Sequence, residues 1–345
     1  MYLLRPITRH DLEQLYELSA QTMTGLTTLP HDRAILEKKI KQSVRSFESM
    51  PDKPSGEVYL FVLEDMVRKR IVGTSAIYSK VGGFEPSYTY KIQTITTASK
   101  PLNVKKEIQY LQLLADHNGP SEIGTLFLDP QYRNTGLGRF LSLVRFLFMA
   151  QYRPCFEDEV MVEMRGVIDE KDFSPFWEAL GKHFFDVEFK KADLMVTKDK
   201  RFIADLMPKH PIYIPILPKD AQAVIGQTQE STKPALRLLE QEGFVYKDEI
   251  DIFEAGPVLR ARLDQIRSVK ESQEAVFTKV LENDSPKSDY MIARVDSFAD
   301  FKATIGDVVS EGSGQIQVSK EAADILKLKK GNKVRFSSLR PQKMK

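Results

Sequence analysis

Residues 123–152 constrain this chain more than any other stretch. A short apolar run, Ile123 to Leu128, leads into Arg133-Asn134-Thr135-Gly136-Leu137-Gly138, and a long apolar stretch from Leu137 to Tyr152 follows. The pattern predicts a strand, a glycine-bearing turn and a helix. The first turn of a helix carries unpaired N–H groups and a partial positive charge. Glycine at such a turn lets an anion come close to the main chain. Residues 133–139 are therefore a phosphate-binding candidate, with Arg133, Asn134, Gly136, Gly138 and Arg139 as its contacts. The competing reading is that the glycines only shape the turn, and context has to decide.

Composition narrows the context. A chain of 345 residues supplies two or three domains and ample core. Its 50 Lys and Arg nearly balance 48 Asp and Glu, so bulk electrostatic binding to nucleic acid or membrane is not expected. No uncharged apolar run reaches membrane length, and the first residues lack the apolar core of a signal peptide. The single cysteine, Cys155, excludes an intrachain disulfide and fits the cytoplasm. No histidine lies near it in sequence, which argues against a nucleophilic role. The five histidines, at 10, 31, 117, 183 and 210, are scattered without a His-x-x-x-His pair, so no metal site is expected.

Along the chain, residues 2–5 read as a strand. Thr8 and Asp11 form a helix start ahead of the apolar face of Leu12, Leu15, Tyr16 and Leu18. A second helix spans 32–47, with Lys38, Lys39, Lys41 and Arg45 on a solvated face. The β-rich runs 58–63 and 71–78 flank a charged segment and predict a hairpin. Strands at 123–128 and 160–165 follow, then a helix over 175–185 carrying a core Trp177 and running into strand-like sequence. The proline-rich segment 206–218 is an ordered crossover, 232–242 a helix stopped by Gly243, and 244–253 a strand. Residues 283–289 are the best linker candidate. The expectation is a mixed α/β fold in three parts: 1–200, a second α/β region at 201–284 that reads as a degenerate half-repeat, and a small β-rich cap at 285–345.

Several side chains are candidates for chemistry. Alternation on the 160–165 strand sets Val160, Val162 and Met164 on one face and Met161, Glu163 and Arg165 on the other. Glu163 is placed to take a proton and Arg165 to hold a carboxylate. His117, in Asp116-His117-Asn118-Gly119, is a second base candidate. His210 reads as structural and His183 as half-buried packing. On the helix after the glycine turn, Arg139, Ser142 and Arg145 share a stripe, with Arg145 facing solvent.

The order of elements, together with Arg133-x-x-Gly136-x-Gly138, resembles the GCN5-related N-acyltransferase superfamily. That resemblance implies acyl-CoA, its diphosphate on the glycine turn. It also implies a gap between two splayed parallel strands, where the main chain of Leu126 and Leu128 pairs with the pantetheine amides. A closer resemblance is carried by Gly25-Leu-Thr-Thr-Leu-Pro30, Asp116-His117, Thr125-Leu-Phe-Leu-Asp-Pro130, Glu163-Met-Arg-Gly-Val-Ile-Asp-Glu170 and Ser174-Pro-Phe-Trp177. Leu206-Met-Pro-Lys-His-Pro-Ile-Tyr213, Gly226-Gln227, Ile250-Asp-Ile-Phe253 and Gly256-Pro257 extend it. These stretches resemble the arginine N-succinyltransferase family from residue 1 to about 270.

This family resemblance implies succinyl transfer from succinyl-CoA to the α-amino group of L-arginine, opening a route of arginine breakdown. It implies succinyl-CoA as co-substrate with no tightly bound cofactor, and a contact to it at Leu126. It leaves open a homo-oligomer or pairing with a related subunit. Glu122, Asp116 and Asp251 are the candidate carboxylates for the substrate guanidinium. One departure stands out. The family's proton-donating histidine shortly after the Gly-Gln pair is replaced here by Gln229, and a second, ahead of Ala98-Ser99-Lys100, by Thr97. Glutamine donates a hydrogen bond but does not titrate. Three readings stay open: another base such as Glu163 or His117, a different acceptor such as ornithine or another amine, or a weakened CoA-binding subunit.

Overall fold

The computed structural model describes the chain except residues 23–25, 197–198, 283–288 and 342–345. Gly25 of the motif above and nearly all of the linker candidate lie outside the described residues. Strand β1 (Tyr2–Pro6) leads through a tight turn to α1 (Leu12–Ser19) and α2 (Arg33–Glu48). The Asp32 carboxylate caps α2 by accepting from the N–H groups of Ala34 and Ile35. The hairpin β2 (Val58–Asp65) and β3 (Arg70–Tyr78) is where the sequence places it. Next come β4 (Gly82–Ser99), β5 (Val104–Asn118), β6 (Ser121–Leu128), α3 (Leu137–Gln151) and β7 (Glu159–Glu163). The middle of the chain is α4 (Lys182–Phe185), α5 (Phe189–Val196), α6 (Arg201–Leu206), β8 (Ile212–Tyr213) and α7 (Lys219–Val224). It continues with α8 (Lys233–Gln241), β9 (Val245–Ile250), β10 (Pro257–Arg262) and α9 (Arg267–Lys270). The last part holds β11 (Gln273–Val280), β12 (Tyr290–Arg294), β13 (Lys302–Gly306), β14 (Val308–Gly312), β15 (Gln315–Val318), α10 (Lys320–Leu326) and β16 (Lys333–Ser338).

All of these strands join one mixed sheet, in the order β14-β15-β11-β16-β12-β13-β1-β2-β3-β6-β7-β10-β9-β4-β5-β8. Helix α3 lies against its middle and is apolar nearly all round, as a helix buried on every side must be. Phe148 of α3 has ring neighbours Tyr152 at 4.9 Å, Phe301 at 5.0 Å and Phe61 at 5.2 Å, so one aromatic cluster ties the sheet, the helix and the segment after β12 together. Helices α1 and α2 pack an apolar face on the opposite side, with Leu15, Leu36 and Ile40 buried over Leu60 and Val62. A separate core surrounds Trp177, Phe185, Phe189 and Phe253. Among the described residues no helix is long and apolar enough to cross a membrane.

The structure corrects the expected elements in three places. Residues 82–118, assigned to no element in the sequence, form a long antiparallel ribbon, β4 with β5, that folds back so that Tyr90 pairs with Ile250 of β9. The strand-like sequence after Phe185 is instead the helix α5, with Phe189 and Ala192 turned into the Trp177 core. The expected helix over 175–185 contains a wide π turn at Trp177–Gly181. Gly181 is obligatory there, because a Cβ would stand 2.2 Å from the Trp177 ring.

Replacing Phe148 by alanine is expected to cost about 3–5 kcal/mol, since the cavity is walled by rigid rings on all sides. Urea denaturation of the variant checks this; a loss below about 1 kcal/mol would mean that the aromatic cluster collapses to refill the space.

Candidate active site

The glycine turn is built as the sequence requires. Asn134 and Gly136 both take left-handed φ angles, 64° and 87°. Gly136 is the N-cap of α3 and offers no side chain to it. The first intrahelical bond runs from the Phe140 N–H to the Gly136 carbonyl, 3.2 Å. The N–H groups of residues 137–139 are thus left to whatever approaches the end of a fifteen-residue helix. Nothing lies within 4 Å of where a Gly136 Cβ would be, and a Gly138 Cβ would meet only Leu128, at 3.8 Å. Crowding within the chain therefore does not explain these glycines. Arg133 is exposed beside the turn. Arg139 leans the other way, its guanidinium 3.2–3.3 Å from Gln241 Oε1 and 3.4 Å from the Leu339 carbonyl.

The strand feeding this turn is irregular. Thr74 of β3 pairs with Phe127 and Ala76 with Gly124, so Thr125 and Leu126 together oppose Ser75 alone. Thr125 absorbs the bulge at φ 51°. On its other side β6 runs parallel to β7 for two residue pairs only, Ser121 with Val160 and Glu122 with Met161. From Ile123 onward the edge of β6 facing β7 has no strand partner among the described residues. The side chains of Leu126 and Leu128 pack against the α3 core while their main chain borders this gap.

Arg145, expected in solvent, is only 2% exposed. It lies under the bulge, with Nε donating to the Ser142 carbonyl at 2.9 Å and Nη1 in long contact with the carbonyls of Ala76, 3.5 Å, and Gly124, 3.4 Å. Burial pushes its guanidinium down to about 9, still charged at neutral pH. The stripe shared with Ser142 faces the sheet because water on that side is replaced by carbonyls bordering the bulge.

A chain of charges lines the gap and runs away from it. Lys39, expected on a solvated face, points inward. Its ammonium donates to Tyr78 Oη at 2.7 Å, to Thr125 Oγ1 at 3.0 Å and to the Thr28 carbonyl. Burial pulls it down to about 7, with the Glu122 carboxylate opposing. Burial raises Glu122 in turn, against Lys200 and Lys39. Glu163 closes β7. Desolvation and the negative charges of Glu122 and Asp251 hold its carboxyl well above the usual glutamate range. Solvent still reaches Glu163, so this is the desolvation of a concave wall and not of a sealed core. Beyond it stand Asp251, Asp193 and Glu254, all raised chiefly by burial, Asp193 to about 7.

Other candidates fall elsewhere. His117 is exposed at the root of the ribbon, its Nδ1 2.8 Å from the Gly83 carbonyl, and Asp116 is also exposed, accepting from the Asn118 N–H. His183 is exposed and not half-buried, because the π turn rotates it off the core. Cys155 is buried and pushed up to about 11 by desolvation. Gln229 is a brace. Its main-chain N–H donates to the Arg165 carbonyl at 2.9 Å, and its side-chain amide bonds both the carbonyl and the N–H of Ile168. Lys39, Arg145, Asp193 and Glu254 were missed in the sequence. Lys39 and Arg145 were read as solvent-facing, and Glu254 directly follows the Ile250-Asp-Ile-Phe253 stretch already singled out.

An uncapped helix N-terminus thus stands at the end of a bulged strand paired on only part of one edge, and both offer main-chain hydrogen-bonding groups. Residues 2–268 match the family described as arginine N-succinyltransferase beta subunit, and residues 275–338 match its C-terminal domain. The chain belongs to the arginine N-succinyltransferase family. It is 42% identical to the arginine N-succinyltransferase of Yersinia pseudotuberculosis and 40% identical to that of Escherichia coli, in each case over 98% of both chains. The structure of arginine/ornithine succinyltransferase subunit AI from Pseudomonas aeruginosa is similar over 99% of both chains, at 32% identity and a TM-score of 0.88.

Replacing Arg145 by methionine should leave the carbonyls of Ala76 and Gly124 without their donor. The expected loss is about 1–3 kcal/mol in urea denaturation, with faster amide exchange at Thr125 and Leu126 and partial rescue by lysine. Unchanged exchange at the bulge would reduce Arg145 to a space-filling role.

Proposed function

We propose that this protein transfers the succinyl group of succinyl-CoA to the α-amino group of L-arginine. The observation that carries the reading is the pairing of two unmet needs on neighbouring backbone: the bare N-terminus of α3 and the unpartnered edge of β6. The CoA diphosphate binds the N–H groups that follow Gly136, with Arg133 beside it. The pantetheine amides add to the edge of β6 at Leu126 and Leu128, as an extra strand would. Main-chain N–H groups at the Thr125–Leu126 bulge polarise the thioester carbonyl.

Arginine enters from the Glu122 and Glu163 side, its carboxylate on Arg165. Glu163 takes a proton from the α-ammonium, directly or through water, which frees the amine to attack; the second proton lost by the nitrogen goes to the departing thiolate. The nitrogen bonds to the carbonyl carbon, the C–S bond breaks, and the CoA thiolate leaves and is protonated. Glu163 is favoured over His117 because it stands at the end of β7, beside the gap, whereas His117 lies at the root of the ribbon with its Nδ1 engaged by the Gly83 carbonyl. Gln229 supports this face by bracing Arg165 and Ile168, which replaces a titrating role with a structural one.

Thiol release from succinyl-CoA should depend on L-arginine; no turnover above buffer sinks the reading. Ornithine is the second acceptor to assay, since the Pseudomonas relative carries it in its name.

Gly136→Val places a β-branched side chain at φ 87° in the path of the diphosphate. Calorimetry should show CoA affinity reduced at least about tenfold; retained affinity would mean the diphosphate binds elsewhere. Glu163→Gln should lower kcat about a hundredfold or more. A base works when ionised, so with a raised carboxyl the rate falls as pH drops through a value above the usual glutamate range. That acidic limb should vanish in the variant, and a limb that persists assigns the proton to another group.

A further inference from the structure

Behind Glu163 lies a group of buried charges that do not satisfy one another. Glu254 is 8% exposed, and its Oε2 has no hydrogen-bond partner. Its carboxylate also accepts from the Gly166 N–H. Arg165 has two buried nitrogens, Nε and Nη2, likewise without partners. Asp193, 9% exposed on α5, makes no hydrogen bond or ion pair among the described residues. Asp251 is already engaged, its Oδ2 accepting from the N–H groups of Phe253 and Glu254 at 2.7 Å each.

These groups are held in place by crowded backbone. The loop carrying Glu254 crosses the segment carrying Arg165 so closely that a Cβ on Gly166 would stand 2.1 Å from the Glu254 carbonyl oxygen. One on Gly256 would stand 2.0 Å from that of Met164. Glu254 feels the charges of Asp251, Arg165 and Asp193, and Asp193 those of Asp251 and Arg165, yet among the described residues no ion pair within 4.0 Å joins them. Leaving buried charges of both signs unpaired is costly. Among the described residues no three acids converge closely enough to hold a metal ion.

We infer that Glu254 and Asp193, backed by Asp251, form the subsite for the guanidinium of the acceptor. This inference depends on the succinyl-transfer reading and adds to it the residues that choose the acceptor. A guanidinium offers parallel N–H pairs that match the free oxygens of two carboxylates. The carboxylate at the other end of the same molecule answers the free nitrogens of Arg165. Acid residues raised by burial suit this role, because the arriving cation restores their ionised form.

The test compares L-arginine with L-citrulline, whose side chain has the same shape without the charge. Wild type, Glu254→Gln and Asp193→Asn are assayed with succinyl-CoA. Glu254→Gln should raise the KM for arginine at least about tenfold and leave the KM for succinyl-CoA within about twofold. It should also shrink the arginine-over-citrulline preference in kcat/KM at least about tenfold. Asp193→Asn should act in the same direction, and serves alone if the first variant does not fold. An unchanged preference in an active, folded variant overturns the subsite while the transfer reading stands. If wild type shows no turnover, the transfer reading fails, and calorimetric titration of L-arginine into wild type and Glu254→Gln decides the subsite: equal affinity overturns it, and loss in the variant upholds it.

Discussion

After Glu122, strand β6 loses its neighbour on one side, and everything in the site follows from that parting. Two residue pairs hold β6 to β7, and beyond them the strands separate. An unpaired strand edge inside a protein is expensive unless something supplies hydrogen bonds to it. The bulge at Thr125 and Leu126 adds to the deficit by disturbing the ladder to β3. Arg145 offsets part of it from below, reaching toward the carbonyls of Ala76 and Gly124. The opening is maintained because α3 is wedged under the strands as a buried apolar cylinder, with Phe140, Leu141 and Val144 fully covered.

The same geometry separates the labour of side chain and main chain. Leu126 and Leu128 anchor β6 in the core, so their backbone is rigid where a ligand would add to it. A Cβ at Gly136 would meet nothing within 4 Å and one at Gly138 only Leu128, so neither glycine is there to relieve crowding. Around the gap and beyond it, Lys39, Glu122, Glu163, Asp251, Asp193 and Glu254 form a sequence of groups whose ordinary charge is discouraged by burial. Burial disfavours the charged form of each of them, so a charged ligand arriving there would shift their titration.

Local signals were legible in the sequence and tertiary ones were not. The strand, turn and helix at 123–152 were readable because periodicity and glycine placement act over a few residues. The hairpin at 58–78 and the helix capped by Asp32 were readable for the same reason. The ribbon at 82–118 was overlooked because much of it is exposed and polar, although Ile92-Gln-Thr-Ile-Thr-Thr97 carries the β-branched residues of a strand. Lys39 and Arg145 looked like ordinary surface residues of their helices. Their burial is imposed by Tyr78, Thr125 and Gly124, far away in sequence. Asp193 was hidden because α5 reads as strand-like, and Glu254 because its unpaired oxygen exists only after the loop crosses Gly166. The glutamine at 229 was visible as a departure, but its bracing of Ile168 needed the fold.

Strand β1 sits between β2 and β13, and the hydroxyl of Thr304 donates to the carbonyl of Tyr2 across 302 positions of sequence. A ribosome delivers the second neighbour of β1 long after β1 itself. One flank of β1 therefore waits through most of synthesis, a long delay for an exposed edge. Strands β11 to β16 carry no group of the proposed chemistry, yet through β13 they cover the second edge of β1.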